Sequence, residues 1–417
     1  MTGIKASFQN AIPYLFSGAF GFFSGLPLLL TGNLLSAWLR EGGVPLSALG
    51  LLAVIGLPYS LKFLWAPFFD RFYPPFLGKR PDPDHQSLGA LRRGWLISVQ
   101  LLLAMAIFLL SCLGPSHSFA LVSFCALLVS CLSASQDILI DAMRRESLSD
   151  QGQALGAAFY VNGYRLGMLV CVSGGFILAD LFSFRLVYRL AASMMLFGPL
   201  LVFLMPEPIS MRPEHTGILA PFKAIFCRRG IFWVISFILL YKLGNALAAP
   251  MITPFYLDSG YSKTEIGVAL KLFGFWAVLL GGVLGGIIVL RIGIYAALRF
   301  FSIAQAGALL GYMLVASLPK NLLHLYGVVI IDDLTSAMGT AALSGFIAIN
   351  TQKEYSASQF ALLSGLAVLP KTIFGAAGGV IAENLGYPNF FLLCALLALP
   401  ATVLVAKIQH HAENKGF

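Results

Sequence analysis

Charged residues are scarce in this sequence, and their scarcity excludes a soluble protein. Only 11% of the 417 residues are Asp, Glu, Lys or Arg, whereas soluble domains average about 25%. Long polar stretches are lacking as well, because apolar tracts follow one another from end to end. A bilayer core about 30 Å thick requires roughly 20 apolar residues per helix. The composition, 58% hydrophobic, therefore indicates an integral membrane protein.

The sequence also lacks the motifs of common enzymes. It holds no G-x-S-x-G element and no Walker motif, and the glycine runs GGVLGG (281–286) and GAAGG (375–379) are not followed by Lys-Ser/Thr. We interpret these runs as sites of close helix packing. The six cysteines show no C-x-x-C spacing, and the six histidines show no metal-ligand spacing. We therefore expect neither an enzyme, nor a cofactor, nor a metal site.

The apolar tracts predict an all-α membrane protein with twelve transmembrane helices. The first tract has no A-x-A-like cleavage site and is longer than a signal-peptide core, so we expect it to be retained. The predicted helices are residues 12–36, 47–69, 94–113, 118–143, 154–181, 186–205, 231–257, 265–290, 295–318, 322–348, 359–382 and 388–407.

The net charge of +9 reflects membrane orientation rather than affinity for nucleic acid. Seventeen of the 27 Lys and Arg residues fall in the tails and the even-numbered loops, and five fall in or beside the odd-numbered loops. The other five lie inside predicted helices. Because positive loops stay in the cytoplasm, we expect both termini to be cytoplasmic.

The helices divide into two equal groups. The longest polar segment in mid-chain, residues 206–230, leaves six helices in residues 1–205 and six in residues 231–417. GQALGAAFYVNGYR (152–165) and SQFALLSGLAVLPK (358–371) each run twelve residues from a glutamine to a basic residue, and they lie in helices 5 and 11. Two repeated six-helix halves predict the major facilitator fold, with a substrate site between the halves near mid-membrane.

Several segments together resemble the AmpG-type muropeptide permeases, in the peptide and acetyl-coenzyme A transporter branch of the major facilitator superfamily. The resemblance implies a multi-pass protein of the bacterial inner membrane that imports cell-wall fragments. Asn245 stands where the family often has an acidic residue. The segments that carry the match are GFFSGLPLLLTG (21–32), LPYSLKFLWAPFFDRF (57–72), SASQDILIDAMRRE (133–146), GYRLGMLV (163–170), LYKLGNALA (240–248), SAMGTAA (336–342) and YSASQFALLSGLAVL (355–369).

The loop after predicted helix 2 resembles the superfamily's loop between helices 2 and 3. In APFFDRFYPPFLGKR (66–80), Asp70 and Arg71 would take the acidic and basic roles, and Gly78, Lys79 and Arg80 the tail of the motif. In the superfamily this loop is a conformational latch. The alternative is a solvated, positively charged cytoplasmic loop.

Ionisable residues inside the predicted helices mark a candidate pathway, because a charge at bilayer depth costs at least ~2.5–3.5 kcal/mol. Residues 10–12 positions into a helix lie roughly 15–18 Å deep, near the bilayer midplane. Five bases against three acids leave a positive excess, which suits an anionic cargo. The eight ionisable residues are Lys62, Arg165, Lys242, Lys271, Lys371, Asp137, Asp332 and Asp333. Those expected at the midplane are Arg165, Lys242, Asp332, Asp333 and Lys371.

Asp137 and Asp141 lie four residues apart and therefore share one face of predicted helix 4. We expect Gln136 and Asp137 to line the cavity, Arg165 to pair with Asp137, and Asp141 to act as a cytoplasmic gate residue with a nearby base. The alternative is a structural ion pair that locks helix 4 to helix 5.

Roles for the remaining residues follow from their depth. Tyr164, Arg165, Lys242, Asn245, Lys271 and Lys371 join Gln136 and Asp137 as candidates for binding the substrate, and Lys242 or Lys371 is expected to pair with Asp332 or Asp333. Proton coupling requires a group that changes charge, and the candidates are Asp137, Asp332 and Asp333. The alternative is that one of the last two acids is paired permanently with a lysine. Gating candidates are Asp70, Arg71, Asp141, Arg144 and Lys62.

Together these features predict a monomeric, proton-coupled secondary transporter that works by alternating access and imports anhydromuropeptides. Its partners would be the anionic small-molecule cargo, protons and the lipid bilayer. Import of another anionic solute, such as a siderophore, satisfies the same charge pattern. A membrane sensor that has lost transport is a further alternative, although the short basic loops carry no signalling domain.

Overall fold

The computed structural model of the protein describes residues 2–45, 52–72, 74, 88–115, 117–205 and 217–415. Every regular element in these residues is helical. The α-helices are α1 (Thr2–Leu29), α2 (Leu35–Glu41), α3 (Leu57–Leu61), α4 (Ala66–Arg71), α5 (Leu88–Cys112), α6 (Phe119–Ser147), α7 (Gln153–Leu169), α8 (Gly175–Leu181), α9 (Phe184–Met195), α10 (Phe197–Leu204), α11 (Ala220–Phe226), α12 (Ile231–Tyr241), α13 (Leu243–Asp258), α14 (Lys263–Val268), α15 (Phe275–Ile292), α16 (Ile294–Ser317), α17 (Leu322–Ile349), α18 (Ser356–Ala398) and α19 (Pro400–Lys415).

Ten helical stretches of the described chain are long and apolar enough to cross a membrane. Nine of them coincide with predicted helices 1, 3 to 10, and the tenth takes in predicted helix 12. The stretches are Ala11–Glu41, Leu91–Cys112, Phe119–Ser147, Gln153–Leu181, Phe184–Leu204, Ile231–Asp258, Lys263–Ile292, Ile294–Ser317, Leu322–Ile349 and Ala377–Gln409.

Two predicted helices have a different form in the structure. Predicted helix 2 is a shorter apolar helix, Val54–Leu64, and residues 46–51 lie outside the described residues. Predicted helix 11 is the first part of α18, which bends at Gly386. Because Gly386 has a positive φ of 73°, a conformation that favours glycine, the chain breaks there before predicted helix 12 begins.

The helices form two compact units. Unit 1 comprises Met1–Ser149, Phe159–Lys223 and Ile349–Gly365, and unit 2 comprises Asp150–Ala158, Ala224–Ala348 and Leu366–Phe417. The first turns of α7 therefore belong to unit 2, and the first turns of α18 belong to unit 1. The predicted latch residues Gly78, Lys79 and Arg80 and the linker residues 206–216 lie outside the described residues.

Glycines bring α1 and α7 into backbone contact within unit 1. A Cβ atom added at Gly21 would lie 2.0 Å from the Tyr160 carbonyl oxygen, and one added at Gly25 would lie 2.1 Å from that of Tyr164. The hydrophobic effect does not drive helices together within a membrane, so small residues that let two backbones approach closely provide the packing instead. These contacts fix the position of α7, which carries the candidate residues Tyr164 and Arg165.

The glycine runs in unit 2 serve the same purpose, as the sequence predicted. Gly281 and Gly285 of α15 face Leu334 and Met338 of α17, where an added Cβ would lie 2.4 and 2.6 Å from their backbone atoms. Gly378 similarly faces the Leu247 carbonyl oxygen at 2.7 Å. The interpretation of both runs as helix packing is confirmed.

Candidate functional site

The polar face of α6 is buried in unit 1. Gln136 is 0% exposed, and neither its amide nitrogen nor its amide oxygen has a hydrogen-bond partner within the described part of the chain. Asp137 is 7% exposed and accepts a hydrogen bond of 3.4 Å from the Tyr160 hydroxyl. Across the residues that the structure describes, Asp137 forms no ion pair. The predicted pairing with Arg165, half-buried on α7, is therefore wrong.

Asp141 lies one turn further along α6, between two bases. Its Oδ2 atom is 3.5 Å from Nζ of Lys62, and its Oδ1 atom is 3.2 Å from Nη2 of Arg144. The Arg144 guanidinium also lies over two aromatic rings, 5.9 Å from the centre of Tyr160 and 5.2 Å from that of Phe360. This arrangement joins three of the predicted gating residues and two aromatic residues that the sequence did not single out.

A second buried charge network in unit 1 was missed by the sequence analysis. Arg92 of α5 is 0% exposed and lies between two carboxylates, 2.5 Å from Asp70 and 3.1 Å from Glu146. It also donates to the Phe69 carbonyl oxygen at 2.8 Å and to the Ser356 hydroxyl at 3.2 Å. The network therefore surrounds one guanidinium with four acceptors from three parts of the chain.

The same network binds the start of α18. The Ser358 backbone N–H donates to Oδ2 of Asp70 at 2.9 Å, and the Ser358 hydroxyl donates to the same oxygen. Glu146 accepts from the Ser356 hydroxyl at 2.5 Å. Asp70 thus caps a helix N-terminus, where a negative charge is favourable. Arg71, by contrast, is exposed and stacks on Phe72.

The missed residues left only a weak signal in the sequence. Arg92 and Glu146 stand at the ends of apolar tracts, beside other charged residues, where solvated side chains are also common. The glutamate lies 54 residues from the arginine, and Ser356 lies 264 residues away. Only the packing of the helices brings them together.

In unit 2, Lys242 stands at the bend between α12 and α13. Its ammonium group donates to the Ser336 carbonyl oxygen at 3.0 Å and to the Thr340 hydroxyl at 2.5 Å. Asn245, one turn on, donates to the Ser336 hydroxyl at 3.4 Å. Two of the predicted binding residues, both half-buried, therefore meet on the same stretch of α17.

Asp332 is buried among neutral donors. It accepts from the Gln305 amide at 2.7 Å and from the Tyr312 hydroxyl at 3.2 Å. Within the described residues Asp332 has no ion pair, so the pairing of Lys242 or Lys371 with one of the two acids stays a prediction for Asp333. The carboxylate of the half-buried Asp333 lies against Gly274, where an added Cβ would lie 2.3 Å from Oδ2.

Lys271 and Lys371 are both exposed, Lys271 inside the membrane-spanning stretch Lys263–Ile292 and Lys371 in the part of α18 that corresponds to predicted helix 11. Lys271 lies in a π-helical segment, Ala269–Gly274, which directly follows α14. Lys371 lies midway between Ser356 and the bend at Gly386. Neither ammonium group makes a hydrogen bond or an ion pair with any described residue. An unpaired ammonium is very costly in lipid, so these side chains require an aqueous surface or an anionic ligand.

The lysines, hydroxyls and buried carboxylates described above are able to bind an anionic ligand and to exchange protons. Lysines and hydroxyls bind carboxylates, and a buried carboxylate without an ion pair is able to take up a proton. Over the described ranges, no three His, Cys, Asp or Glu side chains are grouped so as to hold a metal ion.

Comparison with known proteins places this chain among transporters. Residues 86–369 match the family described as Major Facilitator Superfamily, and residues 19–124 match Acetyl-coenzyme A transporter 1. The anhydromuropeptide permease of Escherichia coli (strain K12) is 35% identical over 94% of this chain and 79% of its own. A protein of Rickettsia conorii named putative transporter AmpG 4 is 31% identical over 92% and 94%.

Solved structures agree in fold. The crystal structure of the E. coli fucose:proton symporter FucP (N162A) superimposes with a TM-score of 0.67, covering 95% of this chain and 98% of that one at 11% identity. The human organic anion transporter MFSD10 gives a TM-score of 0.63 at 15% identity, covering 95% and 99%.

Proposed function

This chain belongs to the major facilitator superfamily of secondary transporters, and we propose that it imports anhydromuropeptides across the bacterial inner membrane. The family resemblance and the helical fold predicted from the sequence are confirmed. The permease of E. coli, at 35% identity, supports the cargo class. The same proposal includes two six-helix halves that alternate access, cytoplasmic termini and a monomer.

The observation that carries this proposal is the pair of unpaired lysines in unit 2. Lys271 is exposed inside a stretch long and apolar enough to cross the membrane, Lys371 is exposed in α18 within predicted helix 11, and neither has a partner among the described residues. Anhydromuropeptides carry peptide carboxylates, which suit two ammonium groups. Lys242 and Asn245, which are already bound to α17, support the binding surface rather than hold the cargo themselves.

Asp137 is the preferred carrier of the coupling proton among the three candidate acids. Its carboxylate accepts a long hydrogen bond, of 3.4 Å, from Tyr160, and beside it lies Gln136, whose amide has no hydrogen-bond partner among the described residues. Asp332 accepts two hydrogen bonds from neutral donors and is held in a fixed position. A group that gains and loses a proton during transport needs the less completely satisfied site.

Another anionic solute, such as a siderophore with carboxylates, remains the second candidate cargo. The same two unpaired lysines favour it, because they select for negative charge rather than for a sugar or a peptide. Competition between the two classes of compound for uptake distinguishes them.

The decisive experiment measures uptake of a labelled disaccharide anhydromuropeptide into proteoliposomes, with and without an inward proton gradient. We expect gradient-driven uptake by the wild type. Lys271→Gln and Lys371→Gln should each raise KM about 10-fold or more, since a hydrogen bond to a charged group contributes about 1.5–3 kcal/mol. Lys320→Gln is the matched control, because Lys320 lies between two membrane-spanning stretches and is already paired with Glu265 at 3.0 Å.

Two results contradict the proposal. Well-folded wild type that takes up no muropeptide removes the cargo assignment, and uptake of a carboxylate siderophore by the same vesicles then selects the second candidate. Unchanged KM in both lysine variants, with uptake intact, removes these two side chains from the binding surface.

A further inference from the structure

We propose that Tyr160 transmits a change at the Asp137 carboxylate to the first turns of α18, and so acts as a positioning residue in coupling. The inference rests on the proposed function in one respect, namely that Asp137 changes charge during transport. The first turns of α18 belong to unit 1, while the rest of the helix belongs to unit 2. Contacts that hold these turns on unit 1 are therefore suited to gating.

Two different parts of the Tyr160 side chain make the two contacts that matter. Its hydroxyl donates to Oδ1 of Asp137 at 3.4 Å. Its ring lies under the guanidinium of Arg144, with 5.9 Å between the guanidinium carbon and the ring centre. Rotation of this side chain away from the carboxylate would therefore also remove the ring from the arginine.

Arg144 connects Tyr160 to the start of α18. The same guanidinium lies 5.2 Å from the centre of the Phe360 ring, near the start of α18. Its Nη2 atom is also 3.2 Å from Oδ1 of Asp141, which adds an ion pair to the two ring contacts. A cation between two aromatic rings is attracted to both, so the loss of one ring changes how the arginine holds the other.

The backbone behind Tyr160 cannot absorb such a change. The carbonyl oxygen of Tyr160 lies against Gly21 of α1, with no room for even a Cβ atom. Gly163, one turn further, lies equally close to the Gly18 carbonyl oxygen. Because α7 is fixed against α1, a change at the hydroxyl moves the side chain rather than the helix.

The charged groups that act on Asp137 are paired with each other rather than with its carboxylate. Lys62 and Asp141 act on it electrostatically, and these two are paired with each other at 3.5 Å. The remaining titratable groups near the carboxylate are the hydroxyls of Tyr59, Tyr160 and Tyr164, while α1 contributes Ser24. Of these tyrosines, Tyr160 is the one that lies under Arg144.

The physical step is the loss of charge from the acceptor. A hydrogen bond to an ionised carboxylate is about twice as strong as one to a neutral group. When Asp137 takes up a proton, the hold on the Tyr160 hydroxyl weakens and the ring leaves Arg144. The arginine then loosens its contact with Phe360, and the start of α18 is less firmly held.

Hydrogen–deuterium exchange of the purified protein tests the relay without any cargo. The reporter is the backbone amides of residues 356–361, among them that of Ser358, which donates to Asp70. We expect Tyr160→Phe and Asp137→Asn each to raise their exchange rate about fivefold or more, because each removes the charge-assisted hydrogen bond. The double variant should exchange no faster than the faster single variant, since both changes break one link.

The matched control is Tyr188→Phe. Tyr188 is also a buried tyrosine of unit 1, and its hydroxyl donates to the Leu30 carbonyl oxygen at 2.6 Å. Removal of the Tyr188 hydroxyl should leave hydrogen–deuterium exchange of the amides of residues 356–361 at the wild-type rate. Wild-type exchange in Tyr160→Phe, or effects of the two single changes that multiply in the double variant, would overturn the relay.

A transport measurement separates positioning from a merely structural role. Tyr160→Phe should retain exchange of cargo at equal concentrations on both sides of the vesicle, yet lose stimulation by a proton gradient. Loss of both activities together, in a well-folded variant, contradicts the relay. If the wild type takes up no muropeptide, the proposed cargo fails, while the exchange result above still decides the role of Tyr160.

Discussion

Replacing Arg92 by glutamine should destabilise unit 1 more than any other single charge removal at this network. The guanidinium is fully buried and contacts Asp70, Glu146, the Phe69 carbonyl and Ser356. Glutamine is too short and neutral, so two buried carboxylates would face each other without a cation. The first turns of α18 would lose support through Ser356 as well.

The magnitude follows from the geometry. Removing one partner of a buried ion pair costs about 3–5 kcal/mol, because an uncompensated charge stays behind. For a cooperative unit of about 150–250 residues, each kcal/mol lowers Tm by about 2–4 °C. Since unit 1 falls in this size range, we expect Tm to fall by about 6–20 °C.

The assay is thermal unfolding of the purified protein in detergent, followed by tryptophan fluorescence. Arg71→Gln is the control, because Arg71 is exposed beside the same Asp70, and surface changes usually stay within about 0.5 kcal/mol. A triple variant, D70N, R92M and E146Q, should recover more than half of the loss, since it leaves no charge unpaired. A fall in Tm below about 2 °C for R92Q, or a triple variant less stable than R92Q, would refute the reasoning.

Two further predictions concern packing and the buried acids. Gly21→Ala should destabilise the protein by about 1–3 kcal/mol, because the added Cβ would meet the Tyr160 carbonyl oxygen. Gly307→Ala is the control, since an added Cβ there meets nothing within 4 Å, and it should be neutral or stabilising in thermal unfolding. Asp332→Asn should lower stability by about 1–3 kcal/mol through loss of an acceptor yet keep gradient-driven uptake, while Asp137→Asn should lose the gradient dependence. The opposite assignment of these two phenotypes would exchange the roles of the acids.

The sequence identified the charged residues inside the helices but not the residues that they contact. Asp137, Asp332 and the five lysines and arginines stand out in the sequence because any charge inside an apolar tract is costly and therefore has a reason. Their partners did not stand out. Asp137 accepts a hydrogen bond from a tyrosine, and Asp332 accepts hydrogen bonds from a glutamine and a tyrosine. Among the described residues neither of these two acids forms an ion pair.

The sequence by itself determined the membrane helices, because helix length and hydrophobicity are local properties that a bilayer of fixed thickness selects. It also determined the family, through segments spread along the chain. Tertiary structure alone decided which charges meet, since a pairing depends on the rotation and packing of helices. Arg92 finds Asp70 and Glu146 across 22 and 54 residues, whereas Lys271 and Lys371 find no partner among the described residues. That difference separates a charge that holds the fold from one available for a cargo.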